Sequence, residues 1–132
     1  MDIRVVTDSA CDLPDDIVEK HNIRIVPLTI RFGDLEFVDR FELDHDDFWA
    51  RCSSSDTLPE TSAPSAGAFE KVFTELFDDG ADGIICVNLA SRLSATMQAA
   101  EVAAKSVLER GRVEIIDSLN VSLVLGNMAV VA

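Results

Sequence analysis

The sequence predicts an α/β fold, an open and mostly parallel sheet with helices on both faces, and three observations carry that prediction. Four short runs, residues 3–6, 23–32, 83–87 and 112–116, are rich in β-branched and aliphatic side chains and read as strands. The segments between them place apolar residues at helical spacing. Strands read as buried on both faces, alternating with helices, argue for a parallel sheet with helices on each side. A chain of 132 residues is one domain's worth of core.

In chain order, the first strand (3–6) runs into Thr7-Asp8-Ser9, and a short helix is expected over about 14–21. Pro14 suits a first helical turn, and His21 falls at the end, where a cation meets the helix dipole favourably. After the second strand (23–32), a helix over about 46–52 has Asp44 as its N-cap, with Asp47 three residues on. Residues 53–65 are dominated by hydroxyls and carry two prolines, Pro59 and Pro64. By composition they are a solvated linker, but they lead directly into the clearest helix of the chain. There Phe69, Val72, Phe73, Leu76 and Phe77 repeat at i, i+3, i+4, i+7 and i+8, and Gly80 ends the run. Beyond the third strand (83–87), a helix over about 94–110 is expected to turn Met97, Ala100, Ala104, Val107 and Leu108 to the core, with Gly111 just past it. The fourth strand (112–116) precedes an apolar segment, 119–132, that reads as a buried helix and is shorter than the about 20 residues a membrane span needs. That segment ends without a capping Gly, Lys or Arg, so the chain is expected to be the first part of a longer protein.

Eleven Lys and Arg face 24 Asp and Glu, a formal charge of −13. Such a surface repels phosphate backbones and argues against nucleic acid as a partner. With 48% hydrophobic residues the acidity belongs to a chain that folds. Cys11, Cys52 and Cys86 are an odd number at wide spacing and read as free thiols; with no secretory signal at Met1-Asp2-Ile3-Arg4, the expected location is the cytoplasm, without stable membrane insertion.

In an open parallel sheet, ligands bind beyond the carboxyl ends of the strands. Three of these ends carry hydroxyls: Thr7-Asp8-Ser9, the stretch from Asn88 through Ser91, Ser94 and Thr96, and Asp117-Ser118-Leu119-Asn120. A fourth hydroxyl cluster, the 53–65 loop, opens the Phe69 helix. Each residue singly reads as a cap. Four such loops at one sheet edge point to a pocket for a carboxylate or phosphate. No GxGxxG, GxxxxGK[ST], HExxH or GxSxG occurs, so neither a dinucleotide cofactor nor a metal is expected. The acidic run around His45, from Asp39 to Asp47, lacks the glycine and alternating oxygen ligands of a calcium loop and reads as a solvated face. Cys11 and Cys86 read as small packing residues.

Four motifs in order, Thr7-Asp8-Ser9-Ala10-Cys11-Asp12-Leu13-Pro14, Pro59-Glu60-Thr61-Ser62-Ala63-Pro64-Ser65, Ser91-Arg92-Leu93-Ser94-Ala95-Thr96-Met97-Gln98, and Ile116-Asp117-Ser118 with Ser122 and Gly126, resemble the N-terminal half of DegV proteins, bacterial fatty-acid-binding proteins. The resemblance implies two lobes, of which residues 1–132 are the α/β first lobe. It implies a fatty acid between the lobes, its carboxylate held by hydroxyls, and a separate fatty acid kinase that receives it and makes acyl phosphate. Thr61, Ser62 and Ser94 fall on the motif positions implied for the carboxylate, and Ser9, Thr96 and Ser118 complete the expected ligand-binding set. Ala63, Ala95, Met97 and Ala99 stand where the family pattern has Gln, Gly, Tyr and Ser.

The chemistry suits a carrier without catalytic residues of its own. Burying a 16-carbon tail at about 0.8 kcal/mol per CH₂ gives a gross gain on the order of 12 kcal/mol before the costs of binding. Neutral hydroxyl and amide donors can then hold the carboxylate while leaving its oxygens open to a kinase. The alternative is an enzyme or enzyme subunit acting on a small phosphorylated or carboxylated substrate, with Ser94 or Ser62 as nucleophile and a base supplied from elsewhere.

Overall fold

A computed structural model describes residues 1–132. In chain order the elements are β1 (Ile3–Asp8), α1 (Asp15–Lys20), β2 (Arg24–Val26), β3 (Thr29–Phe32), β4 (Leu35–Val38), α2 (His45–Ser54), β5 (Glu60–Ser62), α3 (Ala66–Asp78), β6 (Gly83–Asn88), α4 (Thr96–Ser106), β7 (Arg112–Asp117) and α5 (Leu123–Val131). A four-stranded sheet in the order β2-β1-β6-β7 is parallel throughout.

Helices cover both faces of this sheet, as the apolar strands predict. Because alternate side chains leave a strand on opposite faces, Val6, Ile84 and Cys86 meet α3 and α4 through Phe69, Phe73, Leu76, Ala100 and Ala103. On the other face Val87, with half-buried Val5 and Ile85, packs under α1 and α5 against Leu13, Ile23, Leu125 and Ala129. The Phe69 stripe is the buried face of α3, and Ser65 caps that helix by accepting from the Ala68 N–H at 3.1 Å. Asp44 caps α2 through the Asp47 N–H at 2.8 Å, and His21 follows the last turn of α1. The helix expected over 94–110 ends at Ser106, and the chain turns there, which buries Val107 but leaves Leu108 66% exposed instead of in the core.

The run read as one strand over 23–32 is two strands in two sheets. Pro27, which cannot donate to a ladder, separates β2 from β3. A hairpin across Gly33, at φ +60°, joins β3 to β4. The hydroxyl-rich segment is not only a linker either: Glu60–Ser62 pairs with β3 as β5. The resulting antiparallel sheet, β4-β3-β5, has its own small core of Ile30, Phe32 and Leu43 beneath Phe48 and Cys52 of α2. Residues 29–62 are therefore an insert between β2 and α3 with a core separate from that of the parallel sheet.

Candidate functional site

The chain leaves β1 toward β2 on one side and later returns to β6 on the other, so the switch point of the sheet lies between the carboxyl ends of β1 and β6. That crevice is where such sheets bind ligands. Its floor is braced by Asp8, fully buried at the end of β1. The Asp8 carboxylate accepts from Asn88 Nδ2 at 3.1 Å, from the Leu89 N–H at 2.8 Å and from the Ala10 N–H at 3.1 Å. Burial pushes its pKa up, and the three hydrogen bonds pull against that. Beneath it the Cys86 thiol donates to Asn88 Oδ1 at 3.4 Å and is held protonated by burial.

A second brace joins the loops after β6 and β7. The Ser118 N–H reaches the Asn88 carbonyl at 3.1 Å, and the Ala90 N–H reaches the Asn120 carbonyl at 2.9 Å. Asp117 accepts from the Ser91 hydroxyl at 2.5 Å, the Ser91 N–H at 3.2 Å and the Leu119 N–H at 2.9 Å. These bonds, the Ser91 hydroxyl first, hold its carboxyl below the usual range. A third tie brings in α5: the Ser122 N–H donates to the Ala10 carbonyl at 2.8 Å, and the Ser122 hydroxyl to Asp12 Oδ2 at 2.7 Å. Ser122 is held at φ 62°, an uncommon conformation outside glycine. Gly126 lets α5 come this close, since a Cβ there would sit 2.6 Å from the Cys11 carbonyl oxygen.

Within this frame the six expected site residues fall into different places. Ser94 is half-buried at the mouth of α4; its Oγ lies 2.8 Å from Thr96 Oγ1 and accepts from the Thr96 N–H at 3.2 Å. Thr96 is fully buried. Ala95 between them has φ −77°, a conformation any residue adopts, so alanine needs no strain to stand in the glycine position. Ser118 is 3% exposed, and its hydroxyl donates to the Asn120 carbonyl and accepts from the Asn120 N–H. Ser9 is 4% exposed and accepts from the Leu28 N–H at 2.9 Å, so it ties the end of β1 to the start of the insert. It also moderates Asp39, whose pKa is raised chiefly by burial.

Thr61 and Ser62 are exposed neighbours on β5 and point to opposite sides of the insert's sheet. Thr61 lines a cleft of about 260 Å³ with Asp12, Asp39, Asp44 and His45, a negative surrounding that disfavours an anion. Ser62 pairs with Thr29 on the other face. No hydrogen bond joins β5 to the Ser94–Thr96 pair; the structure joins Ser94 to Thr96 and commits Ser9 and Ser118 to the frame. No group of three or more His, Cys, Asp and Glu side chains is arranged to hold a metal ion. His45 Nε2 sits 3.7 Å from Asp12 Oδ1, and neither histidine bonds to a site hydroxyl.

Sequence reasoning that followed hydroxyls missed the residues that hold them. Asp8, Asn88 and Asp117 each end a strand, and the signal was present: a carboxylate or amide as the last residue of a buried strand needs partners, which the next loop provides.

The family model described as "Uncharacterised protein, DegV family" matches residues 2–132. A DegV domain-containing protein of Clostridium perfringens is 35% identical over 124 residues, 94% of this chain and 44% of that relative. Among solved structures, a fatty-acid-binding DegV family protein from Thermus thermophilus superposes with a TM-score of 0.87 at 32% identity, over 98% of this chain and 45% of that one. A stearic acid-binding protein from Eubacterium ventriosum superposes with a TM-score of 0.88 at 29% identity, over 96% and 44%. The chain thus spans a little under half the length of the relatives it matches. No helix is long and apolar enough to cross a membrane. The chain belongs to the DegV family.

Proposed function

We propose that the protein is a fatty-acid carrier of the cytoplasm that holds a long-chain carboxylate with neutral donors and presents it to a fatty acid kinase for conversion to acyl phosphate. The observation that carries this reading is Ser94: a half-buried hydroxyl beside the switch-point crevice, on a loop braced from both sides, in a chain that superposes on a stearic acid-binding protein with a TM-score of 0.88. Ser94 is the primary head-group donor, and Ser62 is the second, because the alternation of β5 turns it away from the acidic cleft that Thr61 lines. The second lobe supplies the other wall of the tail channel.

A serine nucleophile needs a base within hydrogen-bond reach; the partner of Ser94 in this chain is the Thr96 hydroxyl, which is no base at neutral pH, so a hydrolase would have to draw its base from outside these residues, whereas a carrier needs none. The net charge of −13 suits a docking surface for a basic kinase face.

The test is to purify the whole protein from bacteria, extract it with organic solvent and identify the extract by mass spectrometry. Stoichiometric fatty acid is expected, and an empty pocket in repeated preparations counts decisively against the reading. Acyl-phosphate formation by the kinase should fall when the carrier holds Ser94→Ala; unchanged formation removes Ser94 from the site.

A further inference from the structure

The Ser94 and Thr96 hydroxyls lie 2.8 Å apart, and either could donate to the other. Their surroundings differ in a way that settles the direction. Thr96 is fully buried, and its hydroxyl has no hydrogen-bond partner other than Ser94 Oγ. If Ser94 donated, the Thr96 proton would be buried without an acceptor, which costs about 1–3 kcal/mol. If Thr96 donates, its buried proton has an acceptor in Ser94 Oγ. Ser94 Oγ then accepts twice, from the Thr96 hydroxyl and from the Thr96 N–H at 3.2 Å. A serine hydroxyl has two acceptor positions and one proton. With both acceptor positions filled from within the protein, only the proton remains to be offered outward, and Ser94 is half-buried, on the loop that leaves the carboxyl end of β6.

We infer that Thr96 is a positioning residue that makes Ser94 a dedicated hydrogen-bond donor, selecting an ionised carboxylate over neutral head groups of the same tail. This deepens the head-group reading of Ser94 and rests on it. A carboxylate accepts such a bond with charge assistance, whereas an ester carbonyl accepts about half as strongly. A protonated acid or an alcohol can accept the bond only as a neutral oxygen, and its own proton finds no acceptor position left on Ser94 Oγ. Two donors aligned on one oxygen also polarise it, which strengthens the bond it donates. The loop is held in register for this by Asp117, which fixes Ser91 three residues upstream of Ser94 through both its hydroxyl and its N–H.

The experiment measures the affinity of the full-length protein for labelled stearate and labelled methyl stearate by equilibrium dialysis, in wild type, Thr96→Val, Thr96→Ser and Ser94→Ala. Valine keeps the shape and removes the buried hydroxyl; serine keeps the hydroxyl. Ser94→Ala should weaken stearate binding about tenfold or more, the loss of one charge-assisted bond, with a much smaller loss for the ester. Thr96→Val should lower the preference for stearate over its ester about three- to tenfold, while Thr96→Ser retains it. A purely structural role for Thr96 would weaken both ligands equally and leave that ratio unchanged, which overturns the inference. Ser94→Ala with wild-type stearate affinity removes the head-group reading and the inference with it. A Ser94→Ala loss beside a Thr96→Val ratio equal to wild type removes the inference alone. The unmutated protein gives a second reading that needs no variant to fold: without ligand, NMR should find the slowly exchanging hydroxyl proton on Thr96, and finding it on Ser94 overturns the assignment.

Discussion

The parallel sheet and the insert are built on opposite economies. In the parallel sheet, β1 and β6 are buried on both faces, and two helices on each side supply a large apolar core. In the insert, a three-stranded antiparallel sheet buries one face against one helix, and only Ile30, Phe32 and Leu43 are buried there. The hydroxyls are divided between them: Ser94, Thr96 and Ser118 stand on the sheet and its braced loops, Thr61 and Ser62 on the insert. Cross-ties between the regions are polar and few, the Ser9 hydroxyl on the Leu28 N–H and the Arg40–Asp15 ion pair among them. The difference teaches that the two halves of the expected head-group site rest on different supports. One set of donors stands on the large core, the other on a module with a three-residue core of its own, joined to the sheet by few polar ties.

The largest expected effect breaks the stronger region. Phe73 is fully buried between α3 and the sheet, and Phe73→Ala should lower the free energy of unfolding by about 3–5 kcal/mol in urea titrations. Phe32→Ala in the insert should cost less, about 2–3 kcal/mol, because a small core with a half-exposed partner layer can collapse around the gap. It should also act locally. Hydrogen exchange is expected to accelerate across residues 29–62 and not in β1 or β6. Equal acceleration in both regions would mean that the insert and the sheet unfold as one unit and would end the comparison.

The two regions also differ in how legible they were. The parallel sheet could be read because its physics is periodic: buried β-branched runs, and the stripe of Phe69, Phe73 and Leu76. The insert could not be read in this way. Residues 23–32 carry six aliphatic or aromatic side chains, from Ile23 to Phe32, on both sides of Pro27, and only that proline marks where the run changes sheets. Glu60-Thr61-Ser62 has no apolar alternation and is a strand only because β3 offers it an open edge, which is tertiary information. The hydroxyl-bearing motifs after β1, β6 and β7 do fall at the carboxyl ends of the parallel strands, but sequence does not distinguish a hydroxyl left free from one engaged in the frame. Ser9 and Ser118 are both engaged in it by their hydrogen bonds. Thr96 is distinguished from Ser94 only by burial.

Asp8 and Asp117 sharpen the comparison inside the parallel-sheet region, because they brace the same loop from sites of different polarity. Asp8, raised by burial, binds a proton more readily folded than unfolded. Its ionised form therefore opposes folding at neutral pH, and its contribution to stability grows as the pH falls toward the ordinary aspartate value. Asp117, lowered by the Ser91 hydroxyl and its other hydrogen bonds, behaves in the opposite sense. Its contribution is complete above the ordinary value and is lost as the pH falls through its folded value. Asp8→Asn places an amide N–H₂ among three donors and should cost about 1–3 kcal/mol near neutrality. In urea titrations between about pH 3 and 7, the wild-type advantage over Asp8→Asn should widen as the pH falls from 7 toward 4, whereas that over Asp117→Asn stays level there and shrinks only below. Parallel curves for the two variants would show that the braces share one environment.

The smallest effect lies at the joint between the regions. Arg40 Nη2 meets Asp15 Oδ1 at 2.5 Å, with the arginine side chain 18% exposed and the aspartate 85% exposed. An ion pair so open to water contributes about 0.2–1 kcal/mol. Arg40 also sits at φ 73°, so a change to glycine would mix relief of strain with loss of the pair. Arg40→Ala keeps the Cβ, and with it the backbone strain, and removes only the guanidinium. Global stability should therefore fall by less than about 1 kcal/mol, less still in high salt. If polar ties set the position of the insert, hydrogen exchange in β3 and β5 should rise clearly more than this small loss implies for β1 and β6. An insert that stays as protected as in the wild type would show that its own three-residue core and backbone connections hold Thr61 and Ser62 in place without help from the joint.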